Sequence, residues 1–138
     1  MTGPFVADCS VGIGWIHPSQ ANDQTRRLLE HAKEGTPVYV PSIWHREMAN
    51  ALLVAVRRKL LTEAHRQAGL ALLTQLRLII DHETSALAFS AISDLSVRYS
   101  LTAYDAAYLE LARRRSIPLG SRDEPLRAAA RRYGVKLV

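Results

Sequence analysis

Short β-compatible apolar runs alternate with longer helix-patterned segments along the whole chain, and this alternation constrains the fold most. Pro4 to Asp8 (PFVAD) is the first run, and the helix-compatible VGIGWI follows it. Residues 22–34 carry a helical pattern stopped by Gly35, and Val38 to Val40 is a β-rich run closed by Pro41-Ser42. Ser42 is placed to cap a helix through Arg58, with Met48, Leu52, Ala55 and Val56 spaced i, i+4, i+7, i+8. Thr62, Thr84 and Thr102 are expected to cap helices that end near Gln75, Tyr99 and Arg115, and Leu76 to Asp81 is a strand. Ile117 to Gly120 and Val135 to Val138 complete the strands, flanking a helix begun by Ser121.

Strands joined through helices pair in parallel, and runs such as FVA and LII, which lack clean alternation, suit strands buried on both faces. The expected architecture is a three-layer α/β/α sandwich with a five-stranded parallel sheet, forming a single domain over residues 1–138. A chain of 138 residues, 48% hydrophobic, is long enough to bury one sizeable core. The lone Cys9 excludes an internal disulfide framework and a cysteine-built zinc site. No apolar run approaches the ~18 residues of a membrane span. Asp8 interrupts the first apolar stretch and no basic leader precedes it, so a soluble, cytoplasmic protein without a membrane partner is expected.

Charge is concentrated at the C-terminal end. Residues 1–110 hold ten Lys/Arg against eleven Asp/Glu, whereas residues 111–138 hold eight against two. The basic third carries Arg113, Arg114, Arg115, Arg122, Arg127, Arg131 and Arg132, which suits a polyanionic partner such as RNA. A solvated surface explains the same residues more simply.

Three acids, Asp8, Glu47 and Asp123, should gather where strands give way to helices, the edge at which parallel α/β sheets bind ligands, and a fourth, Asp105, can join them although no strand directly precedes its helix. Asp8 ends the first strand, Glu47 lies in the first turns of the helix after the second, and Asp123 follows Gly120 by three residues. Asp105 sits in the first turn of the helix capped by Thr102. Each has a plain capping explanation, Ser121-x-x-Glu124 being a capping box and Thr102/Asp105 an N-cap with its N3 acid. Together they imply more. Carboxylates about 5 Å apart repel by roughly 3 kcal/mol per pair at an effective dielectric of ~20, so a cluster must hold protons or a cation. Oxygen ligands suit Mg²⁺ or Mn²⁺, and such an ion beside a polyanion site points to phosphodiester hydrolysis.

At these residues the chain resembles the PIN-domain ribonucleases, and more narrowly the VapC toxins of toxin–antitoxin pairs. The matching stretches are VADCSVGIGWI at 6–16, VPSIWHREMANALL at 40–53, LTAYDAAYLELA at 101–112 and PLGSRDEPLRAAARRYGVKLV at 118–138. The resemblance implies a PIN fold and a metal-dependent endoribonuclease whose acids fall on Asp8, Glu47, Asp105 and Asp123. It places site-supporting residues at Ser10, Asn50 and Ser121, the last where Thr is commoner. It further implies a small VapB-type antitoxin and a homodimer. The nine uncharged residues at 48–56 lie in a segment whose apolar surplus would suit self-association. Cys9 stands where Ala or Ser is usual and is assigned no chemistry.

Other chemistries lack their residues. Gly12 and Gly14 give G-x-G with His17 where a dinucleotide fingerprint needs its third glycine, and Asp8-Cys9-Ser10 is not the D-x-D of a haloacid-type phosphatase. Trp15, Trp44, Tyr104 and Tyr108 are candidate base-stacking platforms, although Tyr104 and Tyr108 share a helical stripe with Ala107, Leu111 and Ala112 that suits a core. The competing function is a PIN-fold module that binds RNA or protein without cutting.

Overall fold

The computed structural model describes residues 3–138. Four parallel strands form the sheet: β1 (Phe5–Ala7), β2 (Val38–Pro41), β3 (Leu78–Asp81) and β4 (Leu119–Gly120), in the order β3-β2-β1-β4. Phe5 pairs with Val38 and Val38 with Leu78, so Asp8 and Asp81 follow the sheet to the same edge. Phe5, Val6 and Ala7 are fully buried. Successive strand side chains point to opposite faces, so both faces of β1 are covered.

The expected fifth strand does not form. Residues 135–138 meet β4 at one parallel bridge, Leu119 to Leu137, with bonds from Leu119 N to Lys136 O (2.8 Å) and from Val138 N to Leu119 O (3.1 Å). β4 is only two residues long, so a neighbour has no ladder along which to propagate.

The helices are α1 (Cys9–Ile16), α2 (Asp23–Lys33), α3 (Trp44–Arg57), α4 (Glu63–Gln75), α5 (Thr84–Leu87), α6 (Ser93–Tyr99), α7 (Ala103–Arg115) and α8 (Glu124–Tyr133). A π-helical turn at Ala88–Ile92 joins α5 to α6. α1 packs against α2, α3 and α4, whereas α7 lies on β1 and β2 and gathers α6 and α8. Gly12 explains the close approach of α1 to α3: a Cβ there would stand 2.7 Å from Met48 Sδ and 2.8 Å from Trp44 Cζ2. The glycines of the first helix therefore serve packing, and the contact brings the start of α3, with Glu47, beside the start of α1.

Thr62 and Thr102 cap α4 and α7 as expected, accepting from His65 N and Asp105 N (both 3.1 Å). Three expected caps are not caps. α3 starts after Ile43 without a side-chain cap, so Ser42 has no such role. Thr84 donates its hydroxyl to Asp81, and Ser121 donates its own to Asp8. Asp123 caps α8 in place of Ser121, accepting from Leu126 N at 3.1 Å. In both cases the hydroxyl donates to a buried carboxylate, a strong charge-assisted acceptor, and Ser121 Oγ at the same time accepts from Asp123 N rather than from the third amide on. Trp15 and Trp44 are 7% and 1% exposed, which removes them as stacking platforms; Tyr108 is core at 2%, but Tyr104 is 59% exposed. Among the described residues no helix is long and apolar enough to cross a membrane.

Candidate active site

Asp8 is the organising residue. It is 4% exposed, and as N-cap of α1 its Oδ1 accepts from Val11 N (3.1 Å) and from the Ser10 hydroxyl (2.6 Å). Its Oδ2 accepts from the Ser121 hydroxyl at 2.5 Å. Each serine passes the connection on: Ser10 Oγ accepts from Arg122 N (2.8 Å) and Ser121 Oγ from Asp123 N (3.0 Å). Two hydroxyl bridges thus fasten the β1–α1 turn to the β4–α8 turn, and they hold Asp123 near Asp8.

α7 and α3 supply the other two acids. Asp105 stands in the first turn of α7, and Glu47 in the first turn of α3. Glu47 Oε1 accepts from the Tyr108 hydroxyl at 3.2 Å, and that hydroxyl lies 3.5 Å from Cys9 Sγ. Tyr108 therefore links α1, α3 and α7 at the site, a role missed when its helical stripe suggested core alone. A signal existed in its spacing: Tyr108 follows Asp105 by three residues and so shares its helix face.

The electrostatics tie the acids together. Burial pushes the Asp8 carboxyl up, against the pull of Ser10, Ser121 and Val11 N, and the charge of Asp105 adds to the rise. Burial also raises Glu47, opposed by Tyr108 and reinforced by Asp105 and Asp8. Asp105 is raised by burial and then by Asp123, with Thr102 opposing. Asp8, Glu47 and Asp105 thus lie within reach of one another's charge, and Asp123 within reach of Asp105. Cys9 is pushed up to about 12 by burial, so its thiol stays protonated at neutral pH. Asn50, one helical turn beyond Glu47, is exposed and has no hydrogen bond to the acids among the described residues.

The donor set suits a hard cation that keeps its water. Among the described residues no three His, Cys, Asp or Glu side chains form a preformed cage. Mg²⁺ is ordinarily held by one or two carboxylates, with waters and substrate oxygens completing its shell. Asp8, Asp105 and Asp123, with Glu47 nearby, offer that oxygen set and would be relieved of mutual repulsion by it.

Most of the basic third lies in other contacts. Arg114 binds Asp81, Glu83 and Glu110; Arg115 reaches Asp81 at 3.5 Å; Arg131 and Arg127 lie 2.9 and 3.8 Å from Glu124. Arg122 donates to Gln20 at 3.1 Å. Arg113 and Arg132 instead lie over tyrosine rings.

Comparison with known proteins identifies the family and the fold. No curated protein sequence matches the chain. Solved structures do match, with the similarity confined to fold. The PAE2754 structure from Pyrobaculum aerophilum has a TM-score of 0.67 at 19% identity, covering 94% of this chain and 87% of that one. VapBC2 from Rickettsia felis, bound to a DNA fragment from their promoter, gives 0.64 at 14%, covering 98% and 97%. FitAcB from Neisseria gonorrhoeae gives 0.63 at 18%, covering 96% and 95%. The PIN domain family model matches residues 5–132, nearly the whole chain, and this protein belongs to the PIN-domain family.

Proposed function

We propose that this protein is a divalent-cation-dependent endoribonuclease of VapC type, the toxin of a toxin–antitoxin pair. The observation that carries the reading is a set of carboxylates, Asp8 buried and Glu47, Asp105 and Asp123 half-buried, at the ligand edge of a parallel sheet, with no cation of the protein's own paired to them among the described residues. Asp8, Asp105 and Asp123 are the residues that would hold Mg²⁺ or Mn²⁺, with Glu47 completing the pocket. When bound, such an ion acidifies water and offsets charge on phosphoryl oxygens. Glu47, whose proton affinity burial and its acidic neighbours raise, is suited to accept a proton from the attacking water. Ser10 and Ser121 keep Asp8 oriented, and Asn50 borders the site from α3. The RNA beyond the cleaved bond is held by those guanidinium groups of the basic third that no acid pairs, and not by Arg114, Arg115, Arg127 or Arg131.

A nuclease of this kind needs restraint, and the likeness to VapBC2 supports a VapB-type antitoxin as partner. An acidic pocket accepts a partner's Arg well, because the guanidinium fork bonds two oxygens at once. Self-association into a homodimer is part of the proposal. Its apolar basis lies in a different place from residues 42–76, where Leu60 is the one large apolar side chain mostly exposed. Phe89 is 100% and Val97 81% exposed on the α5–α6 rod.

The decisive experiment is cleavage of labelled RNA with and without Mg²⁺ or Mn²⁺, by the wild type and by Asp8→Asn. Cleavage that needs the cation and disappears in the variant is expected. A wild type that binds RNA but never cuts it would make the protein a binding module.

A further inference from the structure

Three guanidinium groups from three helices converge on two tyrosine rings, at the end of α7 opposite Asp105. Arg98 Cζ lies 5.0 Å from the centre of the Tyr99 ring and 5.6 Å from that of Tyr133. Arg113 Cζ is 5.2 Å from the Tyr133 ring, and Arg132 Cζ 5.5 Å from the Tyr99 ring. The rings meet edge to face, centres 5.7 Å apart, so the cluster is one continuous structure. Arg98 belongs to α6, Arg113 to α7 and Arg132 to α8. All three are exposed, and among the described residues none has a carboxylate within ion-pair distance. Arg98 and Arg113 line a cavity of about 320 Å³ beside Tyr133, with Asp94 its one acid not already bonded to an arginine.

A structural explanation covers part of this. Arg113 approaches Gly134, which closes the C-terminus of α8, and a cation is favoured there. One arginine meets that need, and three are present. Stacking also fixes each guanidinium while leaving its edge N–H donors free to bond oxygen. Side chains held in that way lose less freedom when they bind phosphate than free arginines would.

We infer that Arg98, Arg113 and Arg132, mounted on Tyr99 and Tyr133, form a second binding site that holds the phosphates of single-stranded RNA flanking the acidic pocket. This inference rests on the ribonuclease reading. Along α7, Asp105 and Arg113 are eight residues apart, or about 12 Å at 1.5 Å per residue. Such a separation spans a few nucleotides of extended strand, so one RNA can touch both places. The four remaining arginines of the basic third that pair with acids are thereby excluded as the main grip. Arg98, outside that third, is included.

The test measures binding of a fluorescent 15-nucleotide RNA by anisotropy across a salt series, for the wild type and for the triple variant Arg98→Ala/Arg113→Ala/Arg132→Ala. Each lost phosphate contact should reduce the log–log salt slope by about 0.7, so the triple variant should lose about 2 and bind at least tenfold more weakly at 0.15 M salt. Arg131→Ala, whose partner is Glu124, should leave both values unchanged. The triple Lys variant keeps the charge but not the fork, so it guards against misfolding and should recover most of the slope. Unchanged RNA binding in the alanine variant, with cation-dependent cleavage intact in the wild type, would overturn this site and leave the ribonuclease reading standing. A wild type that neither binds nor cuts RNA would overturn both. Equal affinity of the cluster for poly-glutamate would overturn it in favour of an acidic protein partner.

Discussion

Two buried aspartates stand at the same edge of the sheet, and their surroundings could hardly differ more. Asp8 follows β1 and Asp81 ends β3; they are 4% and 1% exposed. Both accept from hydroxyls, Asp8 from Ser10 and Ser121, Asp81 from Thr84. The cations make the difference. Arg114 Nη1 and Nη2 donate to the two oxygens of Asp81 at 3.0 and 2.8 Å, and Arg115 adds a contact. Burial works to raise Asp81, yet the Arg114 hydrogen bonds and charge hold its carboxyl down at about 2. Asp8 has no arginine to oppose its burial, so burial, with a smaller addition from Asp105, moves its carboxyl up. Burial alone therefore says little about what an aspartate does; local charge balance says much more. A chain with seven arginines in its last 28 residues places two of them on Asp81 and none on Asp8. The uncompensated cluster is where a cation from outside would be used.

The largest test of that contrast is activity. Asp8→Asn and Asp105→Asn should each lower RNA cleavage by about 10²–10³-fold, the scale of removing one electrostatic partner from a reacting centre. Thermal melts without divalent cation should hold or rise for Asp105→Asn, which removes a like charge, whereas in Asp8→Asn that gain is offset by the lost acceptor for the Ser10 or Ser121 hydroxyl. Wild-type cleavage in either variant would end the proposed mechanism. On the other side of the comparison, Arg114→Ala should leave cleavage per folded molecule intact. It should cost stability by about 3 kcal/mol, since it strands Asp81 and Glu110, both buried, without their partner. Chemical denaturation measures it, and a loss under 1 kcal/mol would show that the network is not structural.

These contrasts also mark what could be read in advance. The acids were legible because their placement follows from local signals, strand ends and first helical turns, and the parallel sheet brings those to one edge. Long-range competition was not legible. Ser121 has the pattern of a cap, but the fold brings Asp8, 113 residues earlier, to its hydroxyl, whereas Thr84 donates locally to Asp81, three residues before it. Arg114 looked like an RNA contact until Asp81, 33 residues earlier, arrived beside it. The fifth strand failed for a related reason, since the pattern in residues 135–138 could not reveal that β4 would be two residues long.

Next in size is the pH dependence of stability in metal-free protein, where the two sites act with opposite sign. Asp81 has a depressed carboxyl, so its contribution is complete above the unfolded value near 3.9 and is lost as pH falls through about 2. A depression of that size corresponds to about 2.5 kcal/mol. Asp8, Glu47 and Asp105 are raised, so the native state binds their protons more tightly. Their contribution is largest at low pH and declines as pH climbs from about 4 through the raised values. Melting temperature without divalent cation should therefore rise as pH drops below neutral, pass a maximum near pH 4–5, and then fall. Asp8→Asn should flatten the rise, and saturating Mg²⁺ should reverse it. A curve with no acid-side rise would mean that the cluster is already neutralised in the protein.

The smallest effect belongs to Tyr108→Phe, which tests whether the chain's own dipoles hold the uncompensated site in place. The change keeps the buried ring and removes only the hydroxyl that donates to Glu47 Oε1 at 3.2 Å. A hydrogen bond to a charged acceptor contributes about 1.5–3 kcal/mol when buried, but Glu47 is partly exposed and water can replace the donor. A stability loss of about 1 kcal/mol is expected. Glu47 also loses the larger of the two interactions, Tyr108 and Cys9, that lower its proton affinity, so its carboxyl should move further up. If Glu47 takes the proton from water in the ionised form, the acid limb of the cleavage–pH profile should shift toward higher pH. The rate on its plateau should fall by less than tenfold, with little change in RNA affinity. Such a displaced limb is something a merely packed tyrosine would not produce. A variant whose profile overlays the wild type would assign Tyr108 to the core alone and leave Glu47 positioned by α3 itself.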